Sequence, residues 1–401
     1  MATKSSARTR AVFCRLALLS SEESRGEGYL LYRGGRVLGF EPKLPKEALA
    51  VELPDGVLVP GFVSAHTHLA FSHLKKPLRE SRSFTGWITE LLAAPGRTQN
   101  GPASGVRRLR RSGVTCVGDH DPDGSGAAAL RAAGLRGCAF REFFAFEPGS
   151  EPPAPGRNSA RVRAGLAPHA PYTVVEQAAK QAAAAGVPVS VHLAETEEER
   201  RWLSHGDGPV EELLRARNRR PAMPWRRSTP LTWLRRTGLL RRNTLIIHGN
   251  CLSDSEISAL VRSRARAVHC PGTHRYFRRG ETPLRRWVRA GLPFALGVDS
   301  LASNSDLSIL HEMRLMTQSD PWLSPRAIVK AALEEGARAL GRPEAGHLLP
   351  GAAADFVLLR SHVPRNLTAR SRHAWICELL CSHPPVAGTW LAADGWSGVD
   401  R

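Results

Sequence analysis

The strongest constraint on the fold of this 401-residue chain is a regular alternation of short apolar runs with helix-like stretches. Eight runs have the length and composition of buried strands: Val57–His68, Gly113–His120, Gly137–Phe144, Arg161–His169, Val187–Glu195, Thr244–Asn250, Ala265–Cys270 and Leu292–Asp299. Most are separated by stretches with helical spacing, such as Val174–Ala185. This alternation indicates parallel βαβ units, and eight units predict an α/β fold with a closed (β/α)8 TIM barrel. An open, doubly wound sheet would permit the same alternation.

The positions of the polar residues favour the barrel over the open sheet. Metal-compatible side chains stand at or near the C-terminal ends of the predicted strands: His66, His68, His120, His169, His192, Glu195, His248 and Asp299. In a closed barrel these strand ends form a single face, and active sites of such barrels are built there.

The two ends of the chain do not continue the alternating pattern. Tyr29–Phe40 predicts a hairpin around Gly34 and Gly35, and further short strands are predicted after residue 346. The simplest arrangement is a small composite β-sandwich, to which residues 1–59 and 346–401 both contribute. The barrel is then expected at residues 60–345.

The composition admits several classes of partner. The chain has 56 Lys and Arg against 37 Asp and Glu, a net charge of +19 that would suit nucleic acid, an anionic membrane or an acidic small molecule. A nucleic-acid-binding protein should cluster its arginines on one face or in a tail, whereas here they are scattered. No segment approaches the roughly 20 apolar residues of a membrane span. We therefore expect neither nucleic acid nor a membrane as partner.

The seven cysteines are spread over the chain without a C-x-x-C pair, which argues against a disulfide framework or a thiolate zinc site. The apolar run Ala11–Leu19 follows basic residues, as a secretory signal would, but no small-residue cleavage site comes after it. The expected location is the cytoplasm.

The most specific signal is the pair His66 and His68 at the end of the first run. Alternate residues of a strand face the same way, so both imidazoles would point into the barrel mouth as half of a zinc or iron site. His192 offers a third nitrogen, and Asp299 would bury a carboxylate, which is costly unless the group is paired or metal-bound. Three histidines and one aspartate leave a position open for water, as catalytic metal sites do. Each residue alone also fits an ordinary structural role.

Glu195 and His248 stand at two further strand ends. Glu195 can reach a metal-bound water, although it is also the first of an acidic run, and such runs suit the positive end of a helix. The two interpretations are compatible, because the later glutamates suffice for the helix.

These motifs resemble the amidohydrolase superfamily over nearly the whole chain. The resemblance is carried by Pro60-Gly61-Phe62, His66-Thr67-His68, His192 to Glu195, His248, Asp299 and Gly346 to Asp355. It implies a TIM barrel with a composite β-sandwich and one divalent metal, zinc before iron, on His66, His68, His192 and Asp299. In similar enzymes the residue matching His248 contacts the hydrolytic water or the reacting group.

The fourth strand end, Ala167–Tyr172, lacks the lysine with which two-metal members bridge their ions. The chain thus resembles the one-metal aminohydrolases of nucleobases and nucleosides. Leu69–Trp87, His269–Phe277 and Asp299–Asn304 are similar to aminodeoxyfutalosine deaminases of menaquinone biosynthesis. The resemblance implies deamination of aminodeoxyfutalosine to futalosine. Deamination of S-adenosylhomocysteine, methylthioadenosine or a free base, and triazine hydrolysis, stay open as alternatives.

The resemblance also implies roles for the catalytic residues. Asp299 is expected to accept a proton from the activated water, Glu195 to protonate the ring nitrogen, and His248 to stabilise the tetrahedral adduct. Four further residues are candidates for holding the base or ribose of a small nucleoside-like substrate: His169, His274, Ser300 and Asn304. For the two histidines a structural role is an equal alternative. Whether the chain forms a homodimer stays open.

Overall fold

The computed structural model describes residues 8–51, 53, 56–79, 83–94, 100–219, 227–242, 244–364 and 366–392, together with the backbone of 395–398. The extreme ends of the predicted β-sandwich, residues 1–7 and 399–401, lie outside this part of the chain.

The described residues form strands and helices in the following order. The strands are β1 (Arg10–Cys14), β2 (Leu16–Ser20), β3 (Glu23–Arg25), β4 (Gly28–Arg33), β5 (Arg36–Glu41), β6 (Leu49–Val51), β7 (Val57–Pro60), β8 (Phe62–Thr67), β9 (Val114–His120), β10 (Arg136–Phe143), β11 (Val162–Pro168), β12 (Val189–Leu193), β13 (Thr244–His248), β14 (Arg266–His269), β15 (Phe294–Leu296), β16 (Phe356–Leu359), β17 (Val386–Leu391) and β18 (Gly395–Gly398). The helices are α1 (Phe84–Ala93), α2 (Gly101–Arg111), α3 (Ser125–Ala132), α4 (Glu176–Ala184), α5 (Glu197–His205), α6 (Pro209–Ala216), α7 (Pro230–Thr237), α8 (Asp254–Ser263), α9 (Pro271–Tyr276), α10 (Leu284–Ala290), α11 (Ile309–Ser319), α12 (Pro325–Lys330), α13 (Gly336–Ala339) and α14 (Ala369–Cys381). A 3-10 turn covers Leu69–Phe71, and a π-helical segment covers Ala331–Glu335.

Eight parallel strands, β8 to β15, follow one another around a barrel in the order of the chain. The barrel closes where β8 meets the residues that follow β15. There the amide of Val298 donates to the carbonyl of His66 at 3.1 Å, and the amide of His68 donates to the carbonyl of Asp299 at 3.0 Å. Thr67 and Asp299 pair as a parallel bridge. The predicted α/β TIM barrel is confirmed.

The barrel interior is filled with side chains, as TIM barrels generally are. Val63, Phe140, Ile247 and Val268 belong to one fully buried cluster inside it. A larger apolar cluster lies between the strands and the surrounding helices and includes Leu109, Leu166, Trp233 and Trp287. The polar strand ends are therefore mounted on a packed, rigid support.

Both ends of the chain contribute to a β-sandwich beside the barrel, as predicted. One sheet has the strand order β5-β4-β1-β6, and the other has the order β18-β17-β16-β7-β2-β3. Leu30, Leu58, Phe356 and Trp390 belong to the apolar cluster that the two sheets enclose. The late part of the chain is not β structure alone, because α14 packs against α11 and α12.

Two predicted strands differ from those observed. The first run, Val57–His68, divides at Gly61: β7 belongs to the sandwich, whereas β8 belongs to the barrel. A Cβ atom on Gly61 would overlap Oγ1 of Thr115, so the crossing between the two layers requires glycine. The last run, Leu292–Asp299, is a strand only over Phe294–Leu296. It ends early because the residues after it turn to pair with β8.

No helix among the described residues is both long and apolar enough to cross a membrane. All seven cysteines are free thiols. Burial raises the pKa of Cys116 and Cys138, on β9 and β10, to about 12.

Candidate active site

The four predicted metal ligands converge at the C-terminal face of the barrel. Nε2 of His68 lies 3.3 Å from Nε2 of His192. Oδ1 of Asp299 lies 3.6 Å from Nε2 of His66 and 3.8 Å from Nε2 of His68. A tetrahedral zinc ion with bonds of about 2.0–2.1 Å would hold its ligand atoms roughly 3.3–3.4 Å apart. The distance between His68 and His192 matches this spacing, and those from Asp299 to His66 and His68 are a few tenths of an ångström longer.

The protonation of the histidines also fits a metal site. Both ring nitrogens of His66 are buried and find no hydrogen-bond partner among the described residues. Nδ1 of His192 donates to the carbonyl of His169 at 3.0 Å, so Nε2 is the nitrogen directed toward the other ligands. Burial is the main cause that lowers the pKa of His66 and His68 well below the ordinary histidine value. Neutral imidazoles are the form that binds a metal ion.

Asp299 is held so that one carboxylate oxygen faces the histidines. Its Oδ2 accepts hydrogen bonds from Oγ1 of Thr273 at 2.8 Å and from Oγ of Ser303 at 3.2 Å. Burial opposes ionisation, but the polar groups around the carboxylate outweigh it, namely the rings of His248 and His68 and the hydroxyl of Thr273, so that the pKa of Asp299 is below its ordinary value. The carboxylate is ionised at neutral pH, with Oδ1 directed at the metal ligands.

Three non-glycine residues near the strand ends have left-handed backbone conformations. They are Ala194 (φ 50°), His248 (φ 69°) and Asp299 (φ 56°). Such conformations cost on the order of 1–3 kcal/mol each and persist only where the surroundings enforce them. All three residues belong to, or adjoin, the candidate catalytic groups, so the barrel stores strain at this face.

Glu195 lies outside the helix that follows it. Helix α5 begins at Glu197 with Thr196 as its N-cap, and the glutamates of its first turn are the later ones. The amides of Ala194 and Glu195 both donate to the buried carboxyl group of Glu199, each at 2.9 Å. These bonds fix the turn and leave the Glu195 side chain free to face the metal ligands.

The carboxyl group of Glu195 contacts two other polar groups. Its Oε1 accepts a hydrogen bond from Nη2 of Arg279 at 2.8 Å and lies 3.7 Å from Nε2 of His248. The guanidinium of Arg279 lies over the ring of Phe277, 4.7 Å from its centre. Glu195 therefore has a fixed position between a cation and the histidine of β13.

A cavity of about 570 Å³ opens onto these groups. Its buried end is lined by His68, Glu142, His192, Glu195, His248 and Asp299, and its walls are largely aromatic: Phe71, Phe84, Trp87, Phe144, Phe146, Tyr172 and Phe277. The volume lies within the range of about 300–1,000 Å³ that is usual for small-molecule sites.

Two of the four residues predicted to hold substrate line this cavity, namely His169 and Ser300. His169 stacks on Phe144 with ring centres 4.6 Å apart, and burial is the main cause that lowers its pKa to about 4. The other two are not among the described lining residues. Nε2 of His274 donates to the carbonyl of Gly280 at 3.0 Å. Nδ2 of Asn304 donates to the carbonyl of Val298 and to Oε1 of Glu312. The side chains of His274 and Asn304 therefore stabilise the surrounding loops.

Comparison with known proteins agrees with this geometry. The model of the Amidohydrolase family matches residues 57–381. The chain belongs to the amidohydrolase family. As an amidohydrolase it is a hydrolase of C–N bonds, as the sequence predicted.

Curated relatives of this amidohydrolase include several deaminases. The chain is 27% identical over 365 residues to the 5-methylthioadenosine/S-adenosylhomocysteine deaminase of Pelotomaculum thermopropionicum, covering 83% of this chain and 80% of the relative. It is 29% identical over 324 residues to the aminodeoxyfutalosine deaminase of Deinococcus radiodurans, covering 73% and 75%. The crystal structure of Helicobacter pylori aminofutalosine deaminase with methylthio-coformycin shares the fold, with a TM-score of 0.80, 20% identity and coverage of 96% and 99%.

Sequence reasoning about this amidohydrolase missed a buried glutamate. Oε1 of Glu142, on β10, lies 3.1 Å from Nδ1 of His120, and its Oε2 lies 3.9 Å from Nδ1 of His68. Burial opposes ionisation of Glu142, but His68 and His120 outweigh it and hold its pKa well below the ordinary value. Glu142 lies near the C-terminal end of the apolar run Gly137–Phe144, so the rule that selected Asp299 would also have selected it. Arg279 was missed as well, and no pattern in the sequence marks it.

Proposed function

We propose that this amidohydrolase is a metal-dependent hydrolytic deaminase of an adenosine-like substrate. The observation that carries the proposal is that His68, His192 and Asp299, with His66 behind them, meet beside Glu195 and His248 at the buried end of an aromatic cavity. The first candidate substrate is aminodeoxyfutalosine, which would be converted to futalosine in menaquinone biosynthesis. A relative with the name aminodeoxyfutalosine deaminase supports this choice.

The proposed cofactor is one divalent ion on His66, His68, His192 and Asp299. Zinc is the first candidate, and iron is the alternative, because nitrogen and carboxylate ligands suit both ions. Such an ion acts as a Lewis acid and lowers the pKa of water to about 7.

Asp299 and Glu195 are the proposed proton carriers. Because Oδ2 of Asp299 is occupied by Thr273 and Ser303, Oδ1 is the atom that would accept the proton of the attacking water. Glu195 would donate a proton to the ring nitrogen beside the amino-bearing carbon and regain one from the hydroxyl group of the adduct. The proton taken up by Asp299 would pass to the amino group, which leaves as ammonia. The hydrogen bond of Glu195 to Arg279 holds its carboxyl group in one position during both of its transfers.

His248 would stabilise the tetrahedral adduct. Burial is the main cause that lowers its pKa well below the ordinary value, so the ring is neutral. A neutral imidazole carries one N–H, which can donate to the oxygen that develops negative charge. The aromatic walls of the cavity would stack on the base, and His169 and Ser300, which line the cavity, would hold the base or ribose.

A second candidate is deamination of methylthioadenosine or S-adenosylhomocysteine. The observation that favours it is a relative with that name, which matches 83% of this chain. The proposed chemistry is the same, and only the group attached to the ribose differs.

The test measures ammonia release by the zinc-loaded protein. Aminodeoxyfutalosine, methylthioadenosine, S-adenosylhomocysteine, adenosine and guanine are compared at equal concentration, with Glu195→Gln as the inactive control. A chlorotriazine is followed by chloride release instead, because its hydrolysis displaces chloride and not ammonia. We expect the highest kcat/KM for aminodeoxyfutalosine. Faster deamination of another nucleoside would replace the proposed substrate, and absence of ammonia from the whole panel would refute the proposed function.

A further inference from the structure

Charge is unevenly distributed along the cavity. The carboxylates among its described lining residues are Glu142, Glu195 and Asp299, all of them buried. The arginines among the lining residues are Arg217 and Arg219, which follow α6 and are exposed to solvent. The cavity is therefore acidic at its buried end and cationic at its mouth.

Neither arginine is neutralised by a residue that the structure describes. No carboxylate of the described residues forms an ion pair with Arg217 or Arg219, although Arg215, two residues earlier, pairs with Glu211 at 2.6 Å. The guanidinium of Arg219 lies over the ring of Phe146, 5.7 Å from its centre, and this ring itself lines the cavity. Contact with an aromatic face restricts a guanidinium without consuming its hydrogen-bond donors.

We propose that Arg217 and Arg219 form a subsite for a carboxylate on the end of the substrate remote from its base. The inference rests on the proposed function and specifies the class of substrate. Arginine is the side chain best suited to a carboxylate, because its planar donors match both oxygens. The walls between the buried end and the mouth are apolar, as in Phe84, Trp87 and Leu213, so they fit an apolar arm that carries the acid.

The same distribution of charge disfavours a substrate whose remote end is zwitterionic. The amino acid group of S-adenosylhomocysteine would bring an ammonium close to two arginines, with no lining carboxylate at the mouth among the described residues. Methylthioadenosine would leave both arginines without a partner. Aminodeoxyfutalosine carries a benzoate without an adjacent ammonium, and its chemistry matches the subsite.

The experiment compares the wild type with Arg217→Gln, Arg219→Gln and the double variant, all loaded with zinc. Its readout is the ratio of kcat/KM for aminodeoxyfutalosine to that for methylthioadenosine. Hydrogen bonds to charged groups contribute about 1.5–3 kcal/mol, so we expect this ratio to fall about tenfold or more in the double variant, mainly through KM. Arg215→Gln removes a charge from the same segment outside the cavity, and we expect the wild-type ratio in this control.

A binding measurement separates this inference from the proposed reaction. Calorimetric titration compares futalosine with inosine, which lacks the carboxylate-bearing arm, for the wild type and the double variant. Weaker binding of futalosine only in the double variant supports the subsite, whether or not ammonia is released. An unchanged ratio, an equal loss in Arg215→Gln, or equal binding of futalosine by both proteins overturns it. If methylthioadenosine were deaminated and aminodeoxyfutalosine were not, the subsite would be overturned, while the proposed deaminase reaction would stand.

Discussion

The carboxyl group of Glu142 lies between two histidines, His120 at the end of β9 and His68 directly after β8. Carboxylates that face the outer nitrogen of a metal ligand orient the ring and raise its basicity. His68 presents Nε2 to the other ligands, and its Nδ1 faces Oε2 of Glu142 at 3.9 Å, which is an electrostatic contact rather than a hydrogen bond. Glu142 is thus a support for the proposed metal site.

We expect Glu142→Gln to weaken zinc binding by about 10- to 100-fold, the usual effect of losing such a supporting carboxylate. The measurement is a competition titration against a zinc-selective fluorescent chelator. Glu147→Gln is the matched control, since Glu147 is exposed and lies outside the cavity lining. Equal zinc affinity in the wild type and Glu142→Gln would contradict the assignment.

Arg279 is the second residue whose contribution a substitution can test, namely its role in positioning Glu195. Arg279→Ala removes the hydrogen bond to Oε1 of Glu195, and we expect kcat to fall about tenfold or more, with a smaller change in KM. Arg279→Lys should recover part of the loss because it keeps the positive charge. A pH profile of kcat should also shift, since the charge next to Glu195 changes.

The control is Arg275→Ala, an exposed arginine of α9 whose recorded partner is Gln318 at 3.5 Å. If kcat in Arg279→Ala keeps both the wild-type value and the wild-type pH profile, Arg279 has no part in positioning Glu195.

For individual residues, the sequence predicted those site residues whose burial is energetically costly without a partner. His66, His192 and Asp299 stand out because a polar group at the end of an apolar strand needs a partner. Arg279 could not be predicted, because it lies in a loop after α9 and its partner is distant in sequence. His274 and Asn304 were chosen by resemblance, and their contacts depend on loop conformations that no local pattern encodes.

Among the secondary-structure elements, the pair β7 and β8 shows what an apolar run cannot reveal. Both strands are fully buried, so the run has the same hydrophobic character before and after Gly61. The chain passes from one sheet to another at this glycine, where its amide donates to the carbonyl of Asp355 at 3.0 Å. Periodicity could predict that strands exist here, but it could not assign them to two layers.

We expect Gly61→Ala to lower the free energy of unfolding by about 1–3 kcal/mol, the usual cost of overpacking a core. The added Cβ would overlap Oγ1 of Thr115 and lie 2.7 Å from Cβ of the same residue. The measurement is urea unfolding followed by far-UV circular dichroism.

Gly39→Ala provides the matched control within β5. No heavy atom lies within 4 Å of a Cβ placed on Gly39, so we expect a change of less than about 0.5 kcal/mol. Equal stability of the two variants would show that the crossing at Gly61 has room for a side chain.

For the whole molecule, the net charge of +19 bears on fewer functions than the composition alone admitted. Among the arginines of the described residues, only Arg217 and Arg219 line the cavity. The remaining excess can draw an anionic substrate toward the protein, an effect that weakens with salt. It does not define the reaction, because the proposed catalytic groups are two acids and a neutral histidine.

The closure of the barrel coincides with the proposed metal site. His66 and His68 lie on one side of the seam and Asp299 on the other, and the hydrogen bonds between these segments close the barrel. An ion bound there would hold the seam together. We expect removal of zinc by a chelator to speed hydrogen exchange at the amides of His68 and Val298 before it affects the β-sandwich, as measured by mass spectrometry of peptides. Uniform exchange throughout the molecule would argue against this.

The location of the proposed metal site at the barrel closure also determines at which stage of folding an ion can bind. During synthesis, the histidines of β8 leave the ribosome long before Asp299, so the complete ligand set exists only when nearly all of the barrel has emerged. Metal uptake is then among the last steps of maturation, and free energy gained from binding stabilises the finished barrel alone. Because such a ligand set discriminates weakly between zinc and iron, the ion acquired would reflect whichever is available when folding ends.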